Sequence, residues 1–342
     1  MSTAVAELGT DTPPVALSHR LGRLASHRPA QIIAVEVALI LLFQALSPDG
    51  AFLSTANIRG MLLTASQVVL LAAAQAVLMS AGQIDISQGA ALILSSVVAG
   101  KVMIAAQDTL PVTATLLLGL AVAVVTGVLV GAANGMLVAV VRINALVATL
   151  GMLSVASGAA EVITGGVNLF GFPSEVAELG SVRFGAIPLV TVVSLLVVGV
   201  VWALYGSTRW GTHTLAMGSN LQAARRVGIR TLPHTVGIFV LSSALAGLAG
   251  YIDLTRYSTT NISGHLNDSM AAIAAALIGG TALTGGRISF LGAVVGALLA
   301  IILQSGLVII DISPFYQTIA IGLMLLVAVG LDRAATGSRA AP

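Results

Sequence analysis

Leu116–Val130 reads LLLGLAVAVVTGVLV, and Val190–Leu204 reads VTVVSLLVVGVVWAL; neither stretch holds a charge. Neither alternates apolar with polar residues, as a membrane-barrel strand must. Each extends into a run close to the 20 or so apolar residues that cross a bilayer as a helix. The rest of the chain repeats the pattern. Of its 342 residues 57% are hydrophobic and only 8% are charged, against roughly 25% charged in a soluble globular domain. So few polar side chains could not cover a water-exposed surface of this size. In lipid the apolar residues face outward, and helices satisfy the backbone internally. The expected fold is therefore all-α, a polytopic helical membrane protein.

Candidate spans lie near residues 32–47, 60–81, 89–106, 112–133, 145–164, 186–206, 234–255, 269–284, 289–309 and 315–331, which predicts about ten transmembrane helices, the first and eighth short. With the N-terminus inside, eleven of the fifteen Lys and Arg residues fall on the inner side, from Arg20 to Arg339, leaving Arg59, Lys101, Arg183 and Arg256 outside. The opposite orientation inverts that ratio, so the positive-inside rule places both termini in the cytoplasm. Residues 1–30 are expected to be a cytoplasmic N-terminal tail, because no apolar core with a cleavage site precedes the basic cluster His19–Arg28. Residues 31–332 form the transmembrane domain, with an inner loop at 207–232, and residues 333–342 a second cytoplasmic tail. Two longer outer loops, Gly165–Gly185 and Arg256–Asn267, are long enough to hold partner contacts or gates.

The inner loop carries four arginines. Within it Ser219 or Asn220 suits a helix N-cap, and Gly228 suits the left-handed residue that ends a helix. Between them fits a helix of about two turns, with small Ala223 and Ala224 and the cation pair Arg225–Arg226. A helix this short is marginal alone, so it rests on its own domain or on a partner.

Four stretches resemble one family. Gly218-x-Asn220-x-x-Ala223-Ala224-x-x-x-Gly228-Ile229 is similar to the cytoplasmic coupling segment of sugar-importer permeases, in the ribose-permease branch of binding-protein-dependent ABC transporters. Gly82–Gly89, Asn134–Gly151 and Ile278–Arg287 resemble three further elements of that family, in the same order. Gln83, Gln88, Asn144-Ala145 and Leu221-Gln222 depart from its usual residues. The resemblance implies a ten-helix permease working as a dimer with an identical or paralogous copy, embedded in membrane lipid. Two ATP-binding subunits would dock on Asn220, Ala223, Ala224, Arg225, Arg226, Gly228 and Ile229, and an extracytoplasmic sugar-binding protein would deliver the solute. The setting it implies is a bacterial inner membrane.

Polar residues in or next to the spans are candidates for the translocation pathway: Gln75, Asp85, Asn134, Asn144 and Thr149. Asp85, with Ser87 two residues on, also reads as an ordinary helix cap. Glu161 and Asp253 fall near the expected outer interface, where snorkelling or capping explains them at least as well as solute contact. Glu36 has no evident role. The spacings Gly127/Gly131/Gly135 and Gly292/Gly296 favour close packing within the chain over dimerisation. His213 and His234 are too isolated for a metal site.

The chain contains no Gly-x4-Gly-Lys-[Ser/Thr] loop, no His-Glu-x-x-His and no Gly-x-Ser-x-Gly, and it has no cysteine. These absences point away from an enzyme, and neither cofactor nor metal is expected. A continuous basic stripe with interleaved aromatics, the signature of nucleic-acid binding, is also missing. A related permease for branched-chain amino acids or nucleosides is the nearest alternative. An autonomous secondary transporter would place more ionisable groups deep in the bundle.

Overall fold

The computed structural model describes residues 28–313 and 315–337. The expected N-terminal tail, apart from its last residues, and the final residues of the C-terminal tail lie outside that range. The chain folds as α1 (Arg28–Leu46), a 3-10 helix at Pro48–Leu53, α2 (Thr55–Ser80), α3 (Gln88–Ala106), α4 (Val112–Ala139), α5 (Ala145–Thr164) and α6 (Ser174–Ser181). A two-residue hairpin follows, β1 (Arg183–Phe184) with β2 (Ile187–Pro188), pairing antiparallel. Then come α7 (Leu189–Ser207), α8 (Arg209–Ser219), α9 (Leu221–Arg226), α10 (Thr231–Tyr257), α11 (Asp268–Ile278), α12 (Phe290–Ile309) and α13 (Phe315–Gly337).

Seven of these helices, α2, α3, α4, α5, α7, α10 and α12, are long and apolar enough to cross a membrane. Shorter apolar helices occupy the first, eighth and tenth expected spans. The largest departure is the eighth, expected over 269–284 but helical only over Asp268–Ile278. A β-carbon on Gly279 would collide with the backbone of Gly292, and Gly280, Gly285 and Gly286 hold positive φ angles of 94°, 89° and 76°. The helix therefore stops where α12 crosses it, and the remainder becomes a glycine-rich turn. The inner loop also differs, since Arg209–Ser219 within it is a helix. Trp210 anchors it, packing edge-on against Tyr205 and beside His234.

Helix α2 is the centre of the molecule. Every residue from Ala65 to Ser80 is buried, with α7, α10, α11 and α12 packed around it. A helix apolar on all sides belongs in the interior of a bundle. The helices further out show one buried stripe and one apolar outer face. On α4 the buried positions Thr115, Gly119, Ala123, Gly127, Gly131 and Gly135 recur every four residues. That spacing lines one side of a helix. Leu117, Val125 and Leu129 stand exposed on the other side, as does Val155 of α5 and Leu196 of α7. In lipid such side chains are at home.

The α4 stripe lies directly on α10. A β-carbon at Gly127 would run into the Ser243 carbonyl, and one at Gly131 into the Phe239 carbonyl. Gly292 and Gly296 of α12 pack equally tightly on Gly279, just past α11, and on Ala275 of α11. Both spacings thus serve packing within the chain. Gly127→Leu should force α4 off α10 and cost at least about 1–3 kcal/mol. Gly158→Ala, where an added methyl meets nothing within 4 Å, should leave stability as it is. Thermal unfolding of the two variants in detergent, followed by size-exclusion recovery, separates these outcomes. Equal melting of Gly127→Leu and the parent chain would mean that α4 and α10 do not meet here.

Candidate functional site

A cavity of about 540 Å³ opens between the first half of α2, the end of α10, the α10–α11 connection and the second half of α12. Asn57, Thr64 and Gln67 of α2 line one wall, and Gln304 and Ser305 of α12 another. Arg256, Tyr257, Asn261, His265 and Asp268 complete it, with Gln317 of α13 at its edge. Serine 305 is held by α2, its hydroxyl donating to Asn57 Oδ1 at 2.8 Å. Arg256 sits over the Tyr257 ring, 4.6 Å from its centre.

Behind this lining lies a buried ionic group. Gln67 Nε2 donates to Asp253 Oδ1 at 2.8 Å. His265 sits between two carboxylates, with Nδ1 2.7 Å from Asp268 Oδ2 and Nε2 3.1 Å from Asp253 Oδ1. The second contact is ionic and lacks the alignment of a hydrogen bond. Buried charges persist only when paired, and here one imidazole ties α10 and the first turn of α11 to the connection between them, while Gln67 joins α2 to the same Asp253 carboxylate. Asp253 is fully buried, so neither snorkelling nor capping explains it. His265 and Gln67 carried no signal of their own in the sequence. What could have pointed to them is a polar residue midway along a long apolar span, with an acid in another span to match.

The pathway residues expected from sequence lie elsewhere. Asp85 Oδ1 accepts both the Ser87 N–H, at 2.8 Å, and the Ser87 hydroxyl, at 2.6 Å. Asn134 Nδ2 donates to the same hydroxyl at 2.8 Å. The structure thus joins Asp85 and Asn134 in one buried network where the chain enters α3. Beside it Gln88 donates to Ser242 on α10. Gln75 is buried in α2, and neither end of its amide has a partner among the described residues. Thr149 turns its hydroxyl back to the Ala145 carbonyl of its own helix. Asn144 caps α5 by accepting from the Leu146 N–H, and it lines a separate small cavity with Gln83 and Ile143.

At the other end of α2 from this cavity, Asn220 caps α9 by accepting from the Ala223 N–H at 3.0 Å. Gly228 ends that helix region at a φ of 86°. Ala224 is the one buried residue of α9. Arg225, Arg226, Leu221 and Val227 are exposed, Val227 at 77%. Arg225 Nε donates to Thr231 Oγ1 at 3.2 Å. Just before α9, Gly218 packs without room for a β-carbon against the Ser80 carbonyl and the Gly286 amide. Gly286 N–H in turn donates to Ser80 O at 2.8 Å. The short helix is therefore fixed to the end of α2 and to the turn after α11. A cavity of about 690 Å³ beside it is lined by Gln83, Arg142, Ser219, Asn220, Arg225 and Thr284, among others. His213 and His234 approach to 6.1 Å between ring centres. Among the described residues no group of three His, Asp or Glu side chains is arranged to hold a metal ion.

Comparison with known proteins accounts for this arrangement. Residues 57–329 match the family described as "Branched-chain amino acid transport system / permease component". The D-allose transport system permease protein of Escherichia coli (strain K12) is 32% identical over 88% of this chain and 90% of its own length. The ribose import permease protein of Bacillus subtilis (strain 168) is 33% identical over 55% of this chain and 59% of its own. The autoinducer 2 import system permease protein of Yersinia pseudotuberculosis serotype O:3 (strain YPIII) is 34% identical over 56% of this chain and 55% of its own. No solved structure matches. The match spans the membrane helices from α2 to α13, and the chain belongs to this family of transport-system permease components, among the sugar-importer permeases of ABC transporters.

Proposed function

We propose that this chain carries a monosaccharide inward across a bacterial inner membrane. The solute would be a ribose-type pentose or hexose, or a similar small polyol-like compound. In this reading ten helices span the bilayer with both termini in the cytoplasm, and two permease copies pair. ATP-binding subunits dock on the inner face, and an extracytoplasmic binding protein hands over the solute. ATP-driven closure of the docked subunits pushes on residues Asn220–Ile229, and the membrane helices alternate between outward and inward access.

The observation that carries this reading is the shape of α9. A six-residue helix is too short to stand alone, yet it is capped and stopped, and it offers two arginines and two large apolar side chains to the aqueous face. Through Gly218 any displacement of it bears directly on the end of the central helix α2. Names among the relatives support the solute class, since D-allose and ribose are both monosaccharides.

A second reading has an observation of its own. The family description names branched-chain amino acids, and the cavity beside Gln67 holds both Arg256 and Asp268, opposite charges that suit a zwitterion. Competition of labelled D-ribose and D-allose uptake by excess L-leucine discriminates the two: the sugar reading expects no competition.

Purification of the tagged chain from its native membranes in mild detergent should bring down an ATPase in comparable amount, with vanadate-sensitive hydrolysis in the eluate. Recovery of the chain alone, with solute uptake into liposomes that needs no ATP, would replace the importer reading with a secondary carrier. Gly228→Ile should insert normally but uncouple ATP hydrolysis from uptake. Its positive φ disfavours any β-branched side chain, at about 1–3 kcal/mol, while an added β-carbon meets nothing within 4 Å. The strain therefore falls on the path of the α9–α10 link rather than on packing. Undiminished uptake by that variant would count against docking at α9.

A further inference from the structure

The cavity lined by Gln67 and Gln304 follows α2 from Asn57 down to Val68. Eleven residues at 1.5 Å each span about 16 Å. That brings its floor roughly midway along a helix of 26 residues whose other end, Ser80, meets Gly218 of α8. The cavity is thus a half-channel, entered from the face away from α8 and α9. At about 540 Å³ it falls within the range of about 300–1,000 Å³ usual for small-molecule sites.

The lining has a particular chemistry. Its polar groups are mainly neutral: Asn57, Gln67, Asn261, Gln304, Ser305 and Gln317. Carboxamides and hydroxyls both donate and accept, which matches a solute bearing a hydroxyl on most of its carbons. The charges at the floor are already engaged with one another, Asp268 with His265 and His265 with Asp253. Gln67 gives its Nε2 to Asp253, which leaves its carbonyl oxygen as the acceptor at the floor. Gln304, on the opposite wall, has no hydrogen-bond partner among the described residues. The networks around Asp85 and Asn134, in contrast, are closed to solvent in this conformation.

We propose that this half-channel is a membrane-embedded binding subsite for a polyhydroxylated solute, with Gln67 and Gln304 hydrogen-bonding its hydroxyls from opposite walls. The proposal rests on the importer reading and locates the solute within it. The ionic group behind Gln67 acts as a positioning element: it fixes which end of the Gln67 amide faces the solute, and it keeps the floor rigid.

Gln67→Leu would deprive Asp253 of a donor and endanger folding, so Gln304→Leu is the decisive variant. The complete transporter, with its ATPase and binding protein, is reconstituted in liposomes, and labelled D-ribose, D-allose and L-leucine are supplied separately. The quantity read is solute accumulated per ATP hydrolysed, at saturating loaded binding protein. Recovery of the complex and its melting temperature establish that the variant is assembled. The expected result is sugar uptake by the parent protein and a fall of about tenfold in sugar per ATP for Gln304→Leu, the scale of losing one or two hydrogen bonds in a desolvated site. An unchanged ratio overturns the subsite while leaving the importer reading intact. ATP-driven uptake of L-leucine but of neither sugar overturns the assigned ligand class. Absence of any ATP-dependent uptake by the parent transporter removes the importer reading, and the subsite with it.

Discussion

The structure depends on one constraint, the burial of α2 on every side. A helix with neighbours all around has no water to serve its polar side chains, and each must find a partner on a surrounding element or go without. Along its length α2 carries Ser66, Gln67, Gln75 and Ser80 within the buried stretch. Ser66 pairs with Thr191 of α7, Gln67 with Asp253 of α10, and Ser80 with Tyr205 of α7. These long-range bonds fix the rotation of α2 against its neighbours more sharply than apolar contacts could, because hydrogen bonds are directional and apolar burial is not. The Gln67 bond lies at the floor of the cavity lined by Gln304 and Asp268, and the Ser80 bond lies beside the junction with α8.

Close packing turns that arrangement into a single mechanical body. The carbonyl of Ser80 accepts from Gly286, and Gly218 leaves no space above it. The end of α2, the last turn of α8 and the turn after α11 therefore meet backbone to backbone. Backbone contact of this kind cannot be absorbed by side-chain rotation, as a leucine–leucine contact could be. A displacement at α8 would bear on α2 and on the turn after α11 together, and Gln67 and Asp268 bring those two helices to the cavity at the other end of α2. Interiors packed to this density shift as units between discrete arrangements rather than deform smoothly.

Much of this was legible from sequence, where the determining physics is local. The long apolar runs marked the seven long helices. Asn220 and Gly228 marked the limits of α9, because a cap and a left-handed terminator act within a few residues of themselves. The four-residue spacing of Gly127, Gly131 and Gly135 marked the face on which α4 meets a neighbour, though not that the neighbour is α10. The illegible parts are those set by distant partners. Asp253 reads as an interfacial acid until Gln67, 186 residues away, is brought against it. His265 sits in a polar connection that gives no hint of descending to a buried carboxylate. The shortening of α11 is likewise imposed by Gly292 of α12, beyond the turn, and apolar content alone extends that helix too far.

The distribution of polar groups also sets how the chain meets its surroundings. On α4, α5 and α7 most of the exposed side chains are apolar, while many of the buried hydroxyl and amide groups are hydrogen-bonded within the bundle. This inverts the usual partition of a soluble protein, and it carries an energetic consequence. Lipid supplies no hydrophobic driving force between helices, so the bundle is held by close backbone approach at small residues and by interior hydrogen bonds. Both kinds of contact are short-ranged and depend on geometry. A fold assembled from them tolerates conservative change on its lipid face, but it has little latitude at Gly127, Gly218 or Gly292, where a single added carbon meets backbone. The positions that hold this protein together are therefore its smallest residues, and its largest apolar ones serve chiefly to place them in the membrane.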